Sequence, residues 1–208
     1  IEDLASFWQA IAKEFSTFKN IYGYGLMNEP HDLAPETKWF DMAQASINAI
    51  REVDTNTLIM VGGNDWSSAE RWIEQSDTLK FLKDPANNLA FEAHVYFDKD
   101  ASGTYKYSYE EEECYPEKGI DRVKPFVEWI KQNKFHGFIG EYGIPDNDPR
   151  WNETLDLFLG YLQENGINGT YWAAGPWWDT YFMAITPKDG KDRPQMPIIE
   201  KYTSTLKK

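Results

Sequence analysis

Ile21–Pro30 reads IYGYGLMNEP, an apolar and aromatic run of strand length that ends in the polar pair Asn28-Glu29 and is stopped by Pro30. A strand that carries an amide and a carboxylate to its C-terminal tip and then turns is how a parallel α/β fold presents chemistry. Taken alone, a Glu after a strand reads more plainly as a solvated acid. A second stretch changes the balance. Phe138–Gly143 (FIGEYG) again runs apolar and puts a carboxylate, Glu141, near its end. Two such tips point to one site.

Upstream, Leu4, Phe7, Trp8, Ile11, Phe15 and Phe18 recur at three- and four-residue steps, which predicts an amphipathic helix over about residues 2–18. Strand Ile21–Glu29 follows. Pro35 suits a first helical turn, and Phe40, Ala43, Ile47 and Ile50 make one apolar stripe after it. Thr57–Gly62 (TLIMVG) suits a strand buried on both faces. Ser67 and Glu70 have the form of a capping box, opening a short helix through Trp72. Leu89–Tyr96 alternates: Leu89, Phe91, Ala93 and Val95 share one face, and Ala90, Glu92, His94 and Tyr96 the other.

Asp98–Gly119 is acidic, aromatic and too long for a simple connector, so it reads as a functional or mobile insertion. Its acidic run, 98–117, reads as a solvated flap rather than a metal site. Ile120–Asn133 is a predicted helix with Val123, Val127 and Ile130 inward, followed by strand Gly137–Tyr142. Helix Arg150–Asn165 turns Leu155, Phe158, Leu159 and Leu162 inward and is closed by Gly166 as a left-handed cap. Asn168–Ala174 is the last strand, and a loop rich in Trp leads to a final helix over Pro197–Leu206.

Apolar strands strictly alternating with helices predict a parallel sheet in an α/β fold. A doubly wound open sheet is the generic alternative, but the glycine-rich phosphate turn it usually carries is missing. Polar tips on several successive strands favour a (β/α)8 TIM barrel, whose catalytic groups come from many strand ends at one face. A closed barrel of this kind has eight strands, and this sequence supplies five.

Composition narrows the chemistry. The 208 residues suffice for one domain with a sizeable core, and the net charge of -13 argues against nucleic acid, whose phosphates call for Lys and Arg. Nine Trp and 16% aromatic residues exceed what such a core needs, so some rings face a cleft. The single cysteine, Cys114, excludes a disulfide within the chain, and no Cys/His cluster has zinc spacing. No apolar run of membrane-spanning length, signal peptide or polybasic arm is present.

Four short motifs fall in order on successive strand tips: Asn28-Glu29-Pro30, His94-x-Tyr96, Gly140-Glu141-Tyr142-Gly143 and Tyr171-Trp172. Together they resemble glycoside hydrolase family 5, most closely its cellulase-type (endo-β-1,4-glucanase) members. The likeness covers nearly the whole chain and corresponds to strands four to eight of that family's barrel. It implies that residues 1–208 are a single partial (β/α) barrel catalytic domain with strands one to three absent. An Arg and a His that the family places on earlier strands have no counterpart here.

The resemblance implies roles, each with a physical reason. Glu29 matches the acid/base, which must be protonated to donate to the leaving glycosidic oxygen, a state that burial and a neighbouring carboxylate favour. Glu141 matches the nucleophile, which stays ionised to attack the anomeric carbon. In retaining enzymes these two carboxyl groups lie about 5–5.5 Å apart, with no room for a water between them. Asn28 matches the group that holds the sugar 2-hydroxyl. Tyr96 matches a tyrosine whose hydroxyl orients the nucleophile, and His94 a histidine of the same polar network. Trp172 matches the aromatic platform at the point of cleavage, where an indole face covers axial C–H groups. Trp66, Trp177 and Trp178 sit in loops at the expected face and read as neighbouring subsites.

The chain thus reads as a retaining glycosidase that cuts internal β-1,4 bonds of cellulose or a related β-glucan, with no cofactor and no metal. A β-mannanase or β-1,3-glucanase of the same family shares these residues. A carbohydrate-binding protein without turnover, or a structural piece that needs a missing polypeptide, are rivals from other classes. The partners expected are a β-glucan, no nucleic acid and no membrane. The open sheet edges also predict a complementing N-terminal fragment or self-association. The family resemblance implies an extracellular or periplasmic location.

Overall fold

The computed structural model describes residues 1–203. The chain runs α1 (Glu2–Phe15), β1 (Gly23–Gly25), α2 (Trp39–Arg51), β2 (Leu58–Gly62), the short helices α3 (Asn64–Ser67) and α4 (Trp72–Ser76), β3 (Leu89–Tyr96) and α5 (Lys118–Asn133). It continues through β4 (His136–Gly143), α6 (Arg150–Glu164), β5 (Asn168–Tyr171) and α7 (Met196–Tyr202). The expected end of the last helix, Leu206, lies outside the described residues. The five strands form one sheet in the order β1-β2-β3-β4-β5. Both β1–β2 and β2–β3 pair in parallel. Spatial order equals chain order, so the winding never reverses as it does in a doubly wound sheet. This is the α/β winding of a (β/α)8 barrel, of which five strands are present among the described residues.

Residue contacts divide the chain into two compact units, Ile1–Ala93 with Pro125–Phe138, and His94–Lys124 with the residues from Ile139 onward. In the first unit the hydrogen-bonded strand β1 is much shorter than Ile21–Glu29. The Leu26 N–H still reaches the Met60 carbonyl at 3.0 Å, but Glu29 takes a left-handed backbone (φ 45°) that ends the extended run before Pro30. Ile59 and Val61 of β2 are fully buried, but Leu58 and Met60 on the other face are only half-buried, so the strand is not buried on both faces as its apolar run predicts. On α2, Ala43, Ile47 and Ile50 are buried, and Trp39 rather than Phe40 completes the stripe. The Trp39 indole N–H donates to the Gly62 carbonyl at 2.7 Å.

Alternation along β3 sends Phe91 outward into an aromatic cluster with Trp72 and Trp129, at ring distances of 6.4 and 5.0 Å. Trp72 also meets Phe126 edge-on at 4.6 Å. Such edge-to-face pairs add about 0.5–1.5 kcal/mol each beyond the burial of their area.

Two expectations fail here. The capping box does not form: Asp65, Trp66 and Ser67 all have positive φ, so the chain turns back, Ser67 Oγ donates to the Gly63 carbonyl (3.3 Å), and α4 starts only at Trp72. The apolar stripe of α1 is also only partly covered. Ala12 is buried and the Trp8 indole donates to the Leu26 carbonyl at 3.0 Å, yet Phe7 and Phe15 stay exposed, because the stripe is broader than the face that α2 covers. The exposed Phe18 lies beyond the helix, which ends at Phe15 and not at residue 18.

In the second unit, the acidic 98–117 segment is a solvated flap only in part. Asp100, Glu110, Glu111, Glu113 and Glu117 are exposed, but Asp98 and Glu112 are buried. Asp98 accepts the backbone N–H groups of Gly103 and Thr104 at 3.0 Å, that of Tyr105 at 3.2 Å, and the Ser102 hydroxyl at 3.0 Å. Glu112 accepts the N–H groups of Lys99 and Tyr107, both at 2.8 Å. Carboxylates that satisfy orphaned backbone donors order a loop, which solvated ones cannot do. On α6, Leu155, Phe158, Leu159 and Leu162 are buried, and Gly166 (φ 67°) caps the helix, both as the sequence predicts. No helix among the described residues is long and apolar enough to cross a membrane.

Acid should test the turn after α2. Buried Asp54 accepts the Tyr24 hydroxyl (2.9 Å), the Thr57 hydroxyl (2.6 Å) and the N–H groups of Asn56 and Thr57 (2.9 Å each). Burial alone would raise its pKa, but the bonds from Thr57 and Asn56 outweigh it and hold the group at about 2 instead of 3.8. A depressed carboxylate contributes stability that is complete above the unfolded value and lost as pH falls through the folded one. The stability gap between the wild type and Asp54→Asn should therefore be largest above about pH 4 and close towards pH 2. A gap that stays constant over that window in thermal melts would contradict this.

Candidate active site

In the first unit, Asn28 and Glu29 lie in the turn that follows β1. Gly62, at the end of β2, makes that turn possible. A Cβ there would stand 3.0 Å from both the Met27 carbonyl oxygen and Ser67 Oγ, tighter than nine in ten real Cβ contacts. The absent side chain lets the 27–30 backbone cross the tip of β2. Asn28 is exposed, Glu29 half-buried and Pro30 buried. Trp66, in the left-handed turn of α3, is 43% exposed and stacks on His31, with ring centroids 4.5 Å apart and planes 15° from parallel.

The second unit holds the other candidates. β3 ends in His94 and Tyr96, both buried, and β4 carries Glu141, whose side chain is 15% exposed. The Tyr96 hydroxyl donates to Glu141 Oε2 at 2.8 Å, and His94 Nδ1 lies 3.7 Å from the same oxygen. Burial, reinforced by the Glu141 charge, pushes the Tyr96 pKa far above the usual phenol range. The hydroxyl therefore keeps its proton and acts only as a donor to Glu141.

Position in this wall is set by the backbone. Arg122 of α5 is buried and donates to the Tyr96 carbonyl, and to that of Lys99 at 3.0 Å. The Tyr105 hydroxyl takes the Phe97 N–H (2.9 Å) and donates to the Gly143 carbonyl (2.6 Å), tying the ends of β3 and β4 together. Past β5 the Trp172 N–H still reaches the Tyr142 carbonyl at 2.8 Å. The half-buried Trp172 meets Trp178 at 4.9 Å, and Trp178 meets Tyr181 at 5.0 Å. Trp177 is 93% exposed, which rules out a core role.

Sequence reasoning missed Tyr181, Tyr105, Arg122 and His31. Tyr181 has its pKa raised, first by burial and also by the Glu141 charge, so it belongs to the same polar wall. It could have been found in the aromatic run Trp177-Trp178-Asp179-Thr180-Tyr181-Phe182. Arg122 carried no signal, since the Tyr96 and Lys99 carbonyls to which it donates are distant from it in sequence.

A singly wound parallel sheet with carboxylates, a tyrosine and tryptophans at successive strand ends is the layout of a barrel enzyme that works at its strand tips. The profile of the cellulase family, glycosyl hydrolase family 5, matches residues 1–177, and the chain belongs to that family. Among curated relatives, Endo-beta-1,4-glucanase B of Emericella nidulans is 36% identical over 193 residues, which is 90% of this chain and 56% of that protein. Endoglucanase 1 of a Robillarda species is 35% identical over 183 residues, 85% of this chain and 45% of that protein. Among solved structures, Pseudomonas stutzeri endoglucanase Cel5A in complex with cellobiose superposes with a TM-score of 0.90 at 44% identity, over 97% of this chain and 60% of that one. The chain thus spans little more than half the length of the Emericella relative.

Gly143→Ala tests the spacing between β4 and the Trp172 segment. A Cβ at this position would overlap the Trp172 carbonyl oxygen and come within 3.1 Å of Met183 Sδ. Both are packed, so relief requires a backbone shift costing about 1–3 kcal/mol. The variant should melt several degrees lower than wild type. An unchanged melting temperature would show that the two segments are not in close register.

Proposed function

We propose that this chain is the catalytic part of a retaining endo-β-1,4-glucanase acting on cellulose or a related β-glucan, with residues 1–208 working as one catalytic domain. The observation that carries the reading is the grip of the Tyr96 hydroxyl on the Glu141 carboxylate at 2.8 Å, in a wall that also holds His94 and Tyr181. The relatives named endoglucanase support it.

In the first step Glu141 attacks the anomeric carbon, and a carboxylate–sugar ester forms as the glycosidic C–O bond breaks. Glu29 gives its proton to the departing oxygen. In the second step Glu29, now a carboxylate, takes a proton from water, whose oxygen attacks the same carbon and releases Glu141. Asn28 holds the sugar 2-hydroxyl, a contact that strengthens as positive charge develops. His94 and Tyr96 keep Glu141 oriented. Trp172 carries the sugar at the cleavage point, while Trp66, Trp177 and Trp178 extend the binding surface. No metal or cofactor enters these steps. The partner reading includes a complementing polypeptide or self-association, which sedimentation would detect, and the family supports an extracellular or periplasmic location.

Trapping by an activated 2-fluoro cellobioside separates the two carboxyl roles. Glu141→Gln should abolish the covalent adduct. Glu29→Gln should still form it, because the activated leaving group needs no proton. An adduct on any residue other than Glu141 contradicts the assignment. Trp172→Ala should lower kcat/KM on cello-oligosaccharides by about 1–3 kcal/mol, the scale of burying one large ring. Loss of activity in EDTA that one divalent ion restores would contradict the metal-free mechanism.

A further inference from the structure

We propose that His31 is a positioning residue for a subsite on the leaving-group side, where its imidazole braces the Trp66 indole that carries a departing glucosyl unit. The proposal rests on the assignment of Glu29 as the acid/base, since it is the turn around Glu29 that places His31.

Three observations converge within the first unit. Trp66 is the tip residue of a turn whose backbone is fixed but whose ring is not. Asp65, Trp66 and Ser67 hold left-handed φ values of 54°, 56° and 55°, and the turn is pinned by the Arg71–Asp65 ion pair and the Ser67–Gly63 hydrogen bond. The indole itself is 43% exposed, and its aromatic neighbour among the described residues is His31, stacked at 4.5 Å and 15°. An exposed ring with no such neighbour samples several rotamers, and ordering it on binding costs affinity.

His31 is held in turn. It sits between two left-handed residues near Pro30, Glu29 (φ 45°) and Asp32 (φ 46°), and Asp32 Oδ2 lies 3.1 Å from its Nδ1. The same two residues that set the direction of the Glu29 turn therefore set the place of the imidazole. The acid/base turn and the platform meet through one ring contact.

The ring pair lines a cleft of about 470 Å³ whose wall also includes Pro30, Asn64, Asp65 and Gln75. That volume is in the range of ligand pockets. A flat apolar ring bordered by amide and carboxylate groups suits a pyranose, which offers C–H groups on its face and hydroxyls at its rim. Pro30 and His31 of this wall directly follow Glu29, and the cleft is accordingly assigned to the sugar whose oxygen Glu29 protonates.

The test compares cellopentaose, which places sugars beyond the cleaved bond, with an aryl cellobioside, which places none there. Both are measured on the full chain. His31→Ala should lower the ratio of kcat/KM for cellopentaose to that for the aryl cellobioside by about 3–10-fold, the effect of one aromatic pair. The loss should fall mainly on KM. His31→Phe keeps a flat ring on Trp66 and should restore most of the ratio, and Trp66→Ala should lower it at least as far as His31→Ala. An unchanged ratio in His31→Ala overturns the proposal, as does a His31→Phe variant no better than His31→Ala. Calorimetric titration of cellotetraose into Glu141→Gln, with and without His31→Ala, reads the subsite without turnover. Weaker binding in the double variant upholds the subsite even where trapping at Glu141 fails. Equal binding overturns it even where trapping succeeds.

Discussion

The hydrogen bond from Tyr96 to Glu141 is the constraint around which the second unit is arranged. It holds only while the phenol keeps its proton, and burial ensures that it does. Burial in turn needs the ends of β3 and β4 to stay in register, and that is the work of backbone contacts. Arg122 anchors the Tyr96 carbonyl, and Tyr105 bridges Phe97 to Gly143. Gly143 then leaves room for the Trp172 carbonyl, which brings an indole beyond β5. The links at the ends of β3 and β4 are hydrogen bonds, and the one to the Trp172 segment is a close steric approach.

The first unit solves a different problem. Its polar tip follows a strand of only three residues, Gly23–Gly25, so little ladder supports the turn. Support comes from below. Gly62 lets the turn approach β2, Trp39 caps the Gly62 carbonyl, and Asp54 closes the turn after α2. Within this unit, positive φ occurs at Glu29 and Asp32 and at Asp65, Trp66 and Ser67 of α3, as well as at Asn87 and Lys134. Such outliers persist only where their surroundings over-determine them, and they gather at functional sites.

Much of this was legible in the sequence because it follows from periodicity. The alternation of β3 separated Phe91, bound for the aromatic cluster, from His94 and Tyr96, bound for the polar wall. The spacing on α6 marked Leu155, Phe158, Leu159 and Leu162, and Gly166 marked its end. What was not legible depends on partners distant in sequence. The 98–117 acids look solvated until Asp98 and Glu112 are seen to collect backbone N–H groups. Ser67 and Glu70 match a capping box, but the left-handed turn at Asp65–Ser67 overrides a local rule. The stripe of α1 promised a fully covered face, and only the part against α2 and the Leu26 carbonyl is covered. Within the site, side chains at strand tips could be read from motifs, whereas Arg122 and Tyr105 bind backbone groups far away in sequence and leave no pattern.

The central claim is that Glu141, held ready by Tyr96, forms a covalent bond to the sugar. That bond inverts the anomeric carbon once, and its hydrolysis inverts it again. The most direct measurement is proton NMR of the first minutes of cello-oligosaccharide hydrolysis, before mutarotation mixes the anomers. The account predicts that the β-anomer of the new reducing end appears first and the α-anomer grows in later. Initial release of the α-anomer would mean a single displacement by water and would contradict the role given to Glu141.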